Sequence, residues 1–256
     1  MAVAADSSSV VIKAALNGGR KAPAPITPEE AAEEGRRAVE AGATMVHVHG
    51  RTAAGGESSG PAWYGRFMEM FGSACPGVLV SFTTRQSPTL LSDVQAWEPA
   101  PPVCSVNIGS LVDPWQELLT ELSLRSIAVE AGIADDRMAD ELLACGRRFD
   151  QVIVLADEES RSRAASRYVA IRKRLIDGGW HDRVIGHAYG DATWGVVGAA
   201  LACGDHVRVG FEDSFTLPTG KPARSNAELV ESAVLMARAI GRTRMPPEEL
   251  VLLRRG

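Results

Sequence analysis

Basic charge is in short supply in this chain. Lys and Arg total 27 against 32 Asp and Glu, a formal net charge of −5 over 256 residues. Without a positive field, neither nucleic acid nor an anionic membrane surface is an expected partner. Cysteine is scarce too: Cys75, Cys104, Cys145 and Cys203 are far apart and form no CxxC pair. Each lies in an apolar context, which reads as buried free thiols in a reducing compartment. No apolar run approaches the roughly 18 residues of a membrane span. The opening MAVAADSSSV lacks the basic and apolar regions of a secretory signal, so a cytoplasmic protein is expected. No GxGxxG follows the first strand-like run, which argues against a dinucleotide-binding open sheet. Linkers, low-complexity tracts and repeats are absent, and residues 1–9 read as a disordered N-terminus.

What is present is a regular alternation. Short β-branched runs fall at 10–17, 44–51, 78–84, 103–110, 125–132, 149–156, 183–190 and 206–213, with helical patterns between them. The first helix has Thr27 as N-cap, Pro28 behind it, Glu30 for a capping box and Gly42 as its stop. The last starts at Ser225 or Asn226 and stops near Gly241. Eight strand–helix units in about 250 residues predict an α/β fold, a single-domain (β/α)8 TIM barrel.

Side chains alternate faces along a strand, so parity sorts helix-facing from interior positions. In MVHVHGR, Val46 and Val48 face the helices, and Met45, His47, His49 and Arg51 face inward. In HVRVGFED, Val207, Val209 and Phe211 face out, leaving His206, Arg208, Gly210 and Glu212 inside. Glu130 is inward on strand five; Ser105, Asn107 and Gly109 are inward on strand four. The polar inward residues collect at the C-terminal strand ends, where barrel enzymes build their sites.

His47 and His49 stand about 7 Å apart along one strand face, so their rings can converge on one ion. Two imidazoles with the Glu212 carboxylate and an open position form the ligand set of many catalytic zinc sites, although another divalent ion fits as well. The inward Arg208 needs an anionic partner. A carboxylate beside it, Glu130 or Asp213, could act as general base, or the pair could be purely structural. Parity aims Asp213 away from Glu212 unless the strand end bends it back. Thr83, Ser105 and Asn107 suit hydrogen bonds to a substrate carboxylate or ketone. Asn17 ends strand one before GGR, where glycines permit close backbone approach. His187 is inward and suits a fourth ligand or a substrate contact. Asp191 or Thr193 in GDATWG is an expected N-cap where barrels often bind phosphate.

Together AALNGG, TPEEAAEEGRRAVEAGATMVHVHGR, SVNIGS, VEAG and VRVGFEDS…SNAELV resemble the β-keto acid cleavage enzyme family, also labelled 3-keto-5-aminohexanoate cleavage proteins. The resemblance spans nearly the whole chain, in order. It implies a Zn2+-dependent barrel, commonly a homotetramer or a smaller homo-oligomer, in which a β-keto acid and acetyl-CoA give acetoacetate and a new acyl-CoA. By motif it implies His47, His49 and Glu212 as zinc ligands and Asp213, Arg208 and Glu130 as the catalytic group. Thr83 and Ser105 would hold substrate. The departures also carry information. Arg20 stands where aminohexanoate-cleaving members have an acidic residue, which disfavours an amino substrate. FTTRQ replaces the usual STGG, so Arg85 intrudes beside Thr83. LADEESRSR replaces a longer Gly/Pro-rich loop near the acyl-CoA approach. A metal-dependent aldolase or hydrolase that works without CoA is the alternative enzyme. A barrel that binds metal without catalysis is the non-enzymatic one.

Overall fold

The computed structural model describes residues 8–20, 22–85, 89–109 and 115–250. Eight parallel strands close into a barrel in sequence order: β1 Ile12–Ala15, β2 Met45–Val48, β3 Leu79–Thr83, β4 Val103–Asn107, β5 Ala128–Ile133, β6 Gln151–Leu155, β7 Arg183–His187 and β8 His206–Val209. β8 pairs with β1 to complete the ring, with Lys13 beside Arg208. Eight α-helices accompany them among the described residues: α1 Pro28–Glu40, α2 Pro61–Ala74, α3 Leu90–Ala96, α4 Trp115–Leu124, α5 Asp136–Ala144, α6 Arg161–Asp177, α7 Thr193–Ala202 and α8 Asn226–Ala239. This is the single-domain (β/α)8 barrel expected from the spacing of strand-like runs. Among the described residues no helix is long and apolar enough to cross a membrane.

Local chemistry sets the helix ends. Thr27 and Glu30 form the reciprocal capping box of α1, with Pro28 in the first turn. Ser225 caps α8 by accepting from the Glu228 amide. Gly42 sits at φ +116°, the positive-φ backbone expected beyond a helix end. The helix faces bury against the outward strand residues, so Val46, Val48, Val80, Phe82, Val152, Val154, Val207 and Val209 share one core with Phe67, Phe71, Tyr168 and Val196. Inside the ring, Val11, Met45 and Leu250 close the N-terminal end, with Leu79 and Met245 packed on them. Met45 thus faces inward, and Val46 and Val48 outward, as strand parity requires.

Three expectations change. Residues 1–7 lie outside the described residues, but Ser8 and Ser9 are ordered. Ser9–Val10 pairs in parallel with Thr243–Arg244, and the Ser8 carbonyl accepts from Thr243. The expected N-cap after β7 also fails. A 3-10 turn, Gly190–Ala192, moves the α7 N-cap to Ala192, which has no capping side chain. Asp191 is paired with Arg161, and the Thr193 hydroxyl donates to the Ala188 carbonyl, so neither offers a phosphate cap. Finally, Cys75 and Cys104 are free and buried, whereas Cys145 and Cys203 are free but only half-buried.

Candidate functional site

The C-terminal mouth of the barrel holds a cavity of about 500 Å³, lined by His47, His49, Thr83, Ser105, Asn107, Arg208 and Glu212 among others. Two hydrogen-bonded turns bring these side chains together. After β1, Gly18 adopts φ +52°, and a Cβ there would stand 2.4 Å from the Glu212 Cγ. Only glycine lets the β1 loop lie against that carboxylate. After β8, Gly210 adopts φ +151°, and a Cβ there would stand 2.0 Å from the Ala15 carbonyl oxygen. The Glu212 amide donates to that same oxygen at 3.1 Å, and the Asp213 and Ser214 amides turn back onto the Gly210 carbonyl, each at 2.9 Å. The chain therefore bends immediately after β8, and both Glu212 and Asp213 reach the mouth despite their opposite parity.

His47, His49 and Glu212 offer three ligand atoms within 4.8 Å of one another, all on buried residues. His49 Nε2 lies 3.3 Å and His47 Nε2 3.5 Å from Glu212 Oε2. Each ring is held at its other nitrogen. His47 Nδ1 is 3.1 Å from the Ser81 hydroxyl, and His49 Nδ1 is 2.6 Å from Glu57 Oε1. Glu212 Oε2 is buried with no hydrogen-bond partner. A buried, unpaired carboxylate oxygen is costly unless something satisfies it. A cation would do so, and the spacing suits one. Ligand atoms about 2.0–2.1 Å from a tetrahedral metal stand about 3.3 Å apart. The donor set fits a divalent ion with one position open to the cavity.

Electrostatics agree with that fit at His47 and Glu212. Burial pushes His47 well below the ordinary imidazole range, leaving the neutral form that can donate a lone pair. For His49 burial acts in the same direction, but Glu212 and Glu57 outweigh it and raise the pKa. Burial opposes the charge on Glu212, yet Arg208, His49 and His47 prevail and hold the carboxyl well below its usual range.

Arg208 joins the two acids. It donates to Asp213 through Nε at 3.0 Å and Nη2 at 2.8 Å, and Nη2 also donates to Glu212 Oε1. Burial works against the guanidinium charge, but Asp213 and Glu212 outweigh it and raise its pKa. His187 Nδ1 lies 3.3 Å from Asp213 Oδ1. His187 is not within reach of the three-ligand group.

The remaining expected residues are placed unevenly. Thr83, Ser105 and Asn107 line the cavity. Asn17 does not: it is fully buried, its amide nitrogen donates to the carbonyls of His49 and Pro25, and its oxygen accepts from the His49 amide. It fixes the ligand strand from a fully buried position away from the cavity lining. Arg20 is at the rim, donating to the Glu212 carbonyl at 3.0 Å and lying 5.6 Å over the Tyr189 ring. Arg85 lines the cavity and pairs with Glu57 at 3.3 Å. Glu130 is not beside Arg208. It lies one layer down, fully buried, accepting from Lys13, Ser81 and Gln151. Its β5 register opposite Ser105 and Gln151 sets that depth.

Sequence reasoning missed Glu57 and Lys13. Glu57 is carried by a small loop hairpin: Arg51 and Glu57 form an antiparallel bridge, and the Arg51 guanidinium donates to the carbonyls of Gly18, Arg20 and Gly55. Tyr64 anchors the hairpin base by accepting from the Gly50 amide at 2.9 Å. Nothing in AAGGESSG marks that geometry. Lys13 was readable in principle, as a lone lysine at inward parity in the apolar run VVIKAALN.

The profile of the β-keto acid cleavage enzyme family matches residues 9–148 and 162–252. A 3-keto-5-aminohexanoate cleavage enzyme from Fusobacterium nucleatum is 28% identical over 246 residues, covering 88% of each chain. A 3-oxoadipate:acetyl-CoA acetyltransferase from Cupriavidus necator is 28% identical over 263 residues, 91% of this chain and 89% of its own. Among solved structures, ObcA in a binary complex with oxaloacetate shares the fold at TM-score 0.77 and 17% identity. That alignment covers 88% of this chain, which spans 66% of the ObcA chain. With a profile match over most of its length, the chain belongs to the β-keto acid cleavage enzyme family, and it is a carbon–carbon bond-cleaving, acyl-transferring enzyme.

Proposed function

We propose that the protein is a zinc-dependent β-keto acid cleavage enzyme. It would exchange acyl groups between a β-keto acid and acetyl-CoA, giving acetoacetate and a new acyl-CoA. The observation that carries this reading is the convergence of His47 Nε2 and His49 Nε2 on an unpartnered buried oxygen of Glu212 at the mouth of the cavity. The names of relatives that use acetyl-CoA support it.

When bound, a divalent metal supplies Lewis-acid polarisation of a carbonyl oxygen. The chain's own residues do the rest. Thr83, Ser105 and Asn107 present hydroxyl and amide groups to the cavity and orient the substrate's oxygens. Arg208 keeps Glu212 and Asp213 in fixed positions, so the mouth is organised before substrate arrives. Among the described cavity-lining residues Glu212 is the one carboxylate, and Arg208 already pairs with it. With Arg20 at the rim, the described lining offers an ammonium group no free acid, which supports a keto acid without an amino substituent as substrate. A cytoplasmic homo-oligomer is part of the same reading, and sedimentation of the purified protein tests the assembly.

The test is a panel of β-keto acids incubated with acetyl-CoA and the zinc-loaded protein, scored by acetoacetate release. Turnover of neutral or acidic keto acids above 3-keto-5-aminohexanoate is expected; no release from any of them defeats the reading. A CoA-independent aldolase or hydrolase is the second reading. It is favoured by the family match breaking at residues 149–161, across β6 and its following loop. Equal turnover without acetyl-CoA would select it.

A further inference from the structure

We propose that Ser81, its hydroxyl aimed by Glu130 and Lys13, is a positioning residue that presets the tautomer in which His47 can ligate, a role that rests on the metal-dependent reading above. Ser81 stands directly opposite His47 in the β2–β3 register and is fully buried. Thr83 follows two residues later on the same face of β3 and lines the cavity. The strand therefore offers one hydroxyl to the cavity and one to the candidate ligand.

The hydrogen count fixes the direction of that contact. A serine hydroxyl donates once and accepts twice. Three groups meet Ser81 Oγ: Glu130 Oε2, Lys13 Nζ at 3.4 Å and His47 Nδ1 at 3.1 Å. Lys13 and Gln151 both donate to Glu130, as they would to an ionised carboxylate, which itself can only accept. Two oxygens in contact need a hydrogen between them, so the Ser81 proton goes to Glu130. The Lys13 ammonium has no lone pair to offer. What remains for His47 is an acceptor, and Nδ1 must bring its own hydrogen.

With Nδ1 protonated, the lone pair is on Nε2, the atom 3.5 Å from Glu212 Oε2. The imidazole therefore presents that lone pair to the candidate metal position before an ion arrives. His49 is set in the same form by a different device, the Glu57 carboxylate at its Nδ1. Glu57 is half-buried, whereas Ser81, Lys13 and Glu130 are all sealed from solvent. Removing the Ser81 hydroxyl leaves a buried Nδ1–H without its acceptor, which favours any tautomer or ring orientation that avoids it.

Zinc titration of the full chain against a competing chelator tests this role. Ser81→Ala should weaken zinc binding by about 10- to 100-fold, the range for losing a group that orients a ligand. Ser81→Thr keeps the hydroxyl and should recover most of that loss. Wild-type affinity in Ser81→Ala, or a Ser81→Thr that binds no tighter than Ser81→Ala, overturns the proposal. Nitrogen-15 shifts of His47 in the zinc-free wild type, assigned by their loss in His47→Gln, need no change at the serine. A protonated Nδ1 with a bare Nε2 supports the proposal, and the reverse tautomer overturns it. In Ser81→Ala a mixture of tautomers is expected; shifts unchanged from wild type would leave Ser81 a packing role only. Each of these failures leaves the metal-dependent reading standing. A wild type that binds no zinc defeats that reading, and this proposal with it.

Discussion

Glu57 Oε1 lies 2.6 Å from His49 Nδ1, and Glu212 Oε2 lies 3.3 Å from Nε2 of the same ring. One imidazole is therefore held between two carboxylates, one toward the candidate metal position and one behind it. The rear carboxylate fixes the ring and raises its basicity as a ligand. Glu57→Gln is expected to keep the fold and weaken metal binding by about 10- to 100-fold. Competition against a chelator of known affinity measures it, and an unchanged affinity removes Glu57 from the site.

His47→Ala and His49→Ala should each purify without stoichiometric metal by elemental analysis, because two remaining donors hold a divalent ion poorly. Wild-type metal content in either variant would eliminate that histidine as a ligand. The comparison is clean for structural reasons. His47 Nδ1 has one partner, the Ser81 hydroxyl, and His49 Nδ1 meets the half-buried Glu57.

Much of this site was legible from the chain, for a definable reason. His47 and His49 share a face because strand side chains alternate, and that periodicity needs no tertiary knowledge. The eight strands were equally readable, since each begins and ends near turn-forming residues. What escaped depends on closure of the fold. Glu57 reaches His49 only because Arg51 ties its loop to three carbonyls. Asp213 reaches Arg208 only because the chain turns at Gly210. Glu130 and Lys13 are 117 positions apart in sequence and meet across the barrel interior. Inward parity placed Glu130 in the barrel correctly, but parity carries no depth, and depth separates the mouth from the polar layer beneath.

Lys13 and Glu130 form a fully buried ion pair. Burial drives the Lys13 pKa down, and Glu130 acts against that shift. Lys13→Met alone strands a buried carboxylate and should destabilise the protein by roughly 3–5 kcal/mol. Lys13→Met with Glu130→Gln should recover most of the loss, since both charges are gone. Denaturant melts of the wild type, Lys13→Met, Glu130→Gln and the double variant measure the coupling. Additive losses would mean that the pair is not coupled, and wild-type activity in the double variant would confine Glu130 to a structural role.

Arg208 is a stricter case, because its planar fork serves two acids at once. A lysine retains the charge but cannot span both carboxylates. Arg208→Lys is expected to lower kcat by at least ~100-fold, the size of effect seen when one preorganised donor is removed, while metal content stays near stoichiometric. A kcat like that of wild type would leave Arg208 with a purely structural task.

His206 tests the opposite end of the barrel and gives stability a pH dependence with a definite sign. Its Nδ1 accepts from the Val11 amide at 3.0 Å, and burial, helped by the nearby Arg183 and Arg242, pushes its pKa down to about 3. The unfolded chain takes up that proton near pH 6.5, whereas the folded chain resists it until about pH 3. Between those values the unfolded state binds more protons, so stability falls as pH falls, by up to about 1.4 kcal/mol per pH unit from this residue. Above pH 6.5 the contribution is complete and flat. His206→Asn retains an acceptor for Val11 and cannot titrate. Its unfolding free energy, measured by urea denaturation between pH 7 and 4.5, should fall less steeply than wild type by the slope of about one proton. Parallel acid limbs in the two proteins would mean that His206 takes up its proton in the folded state as readily as in the unfolded one, and that the arginines beside it are screened.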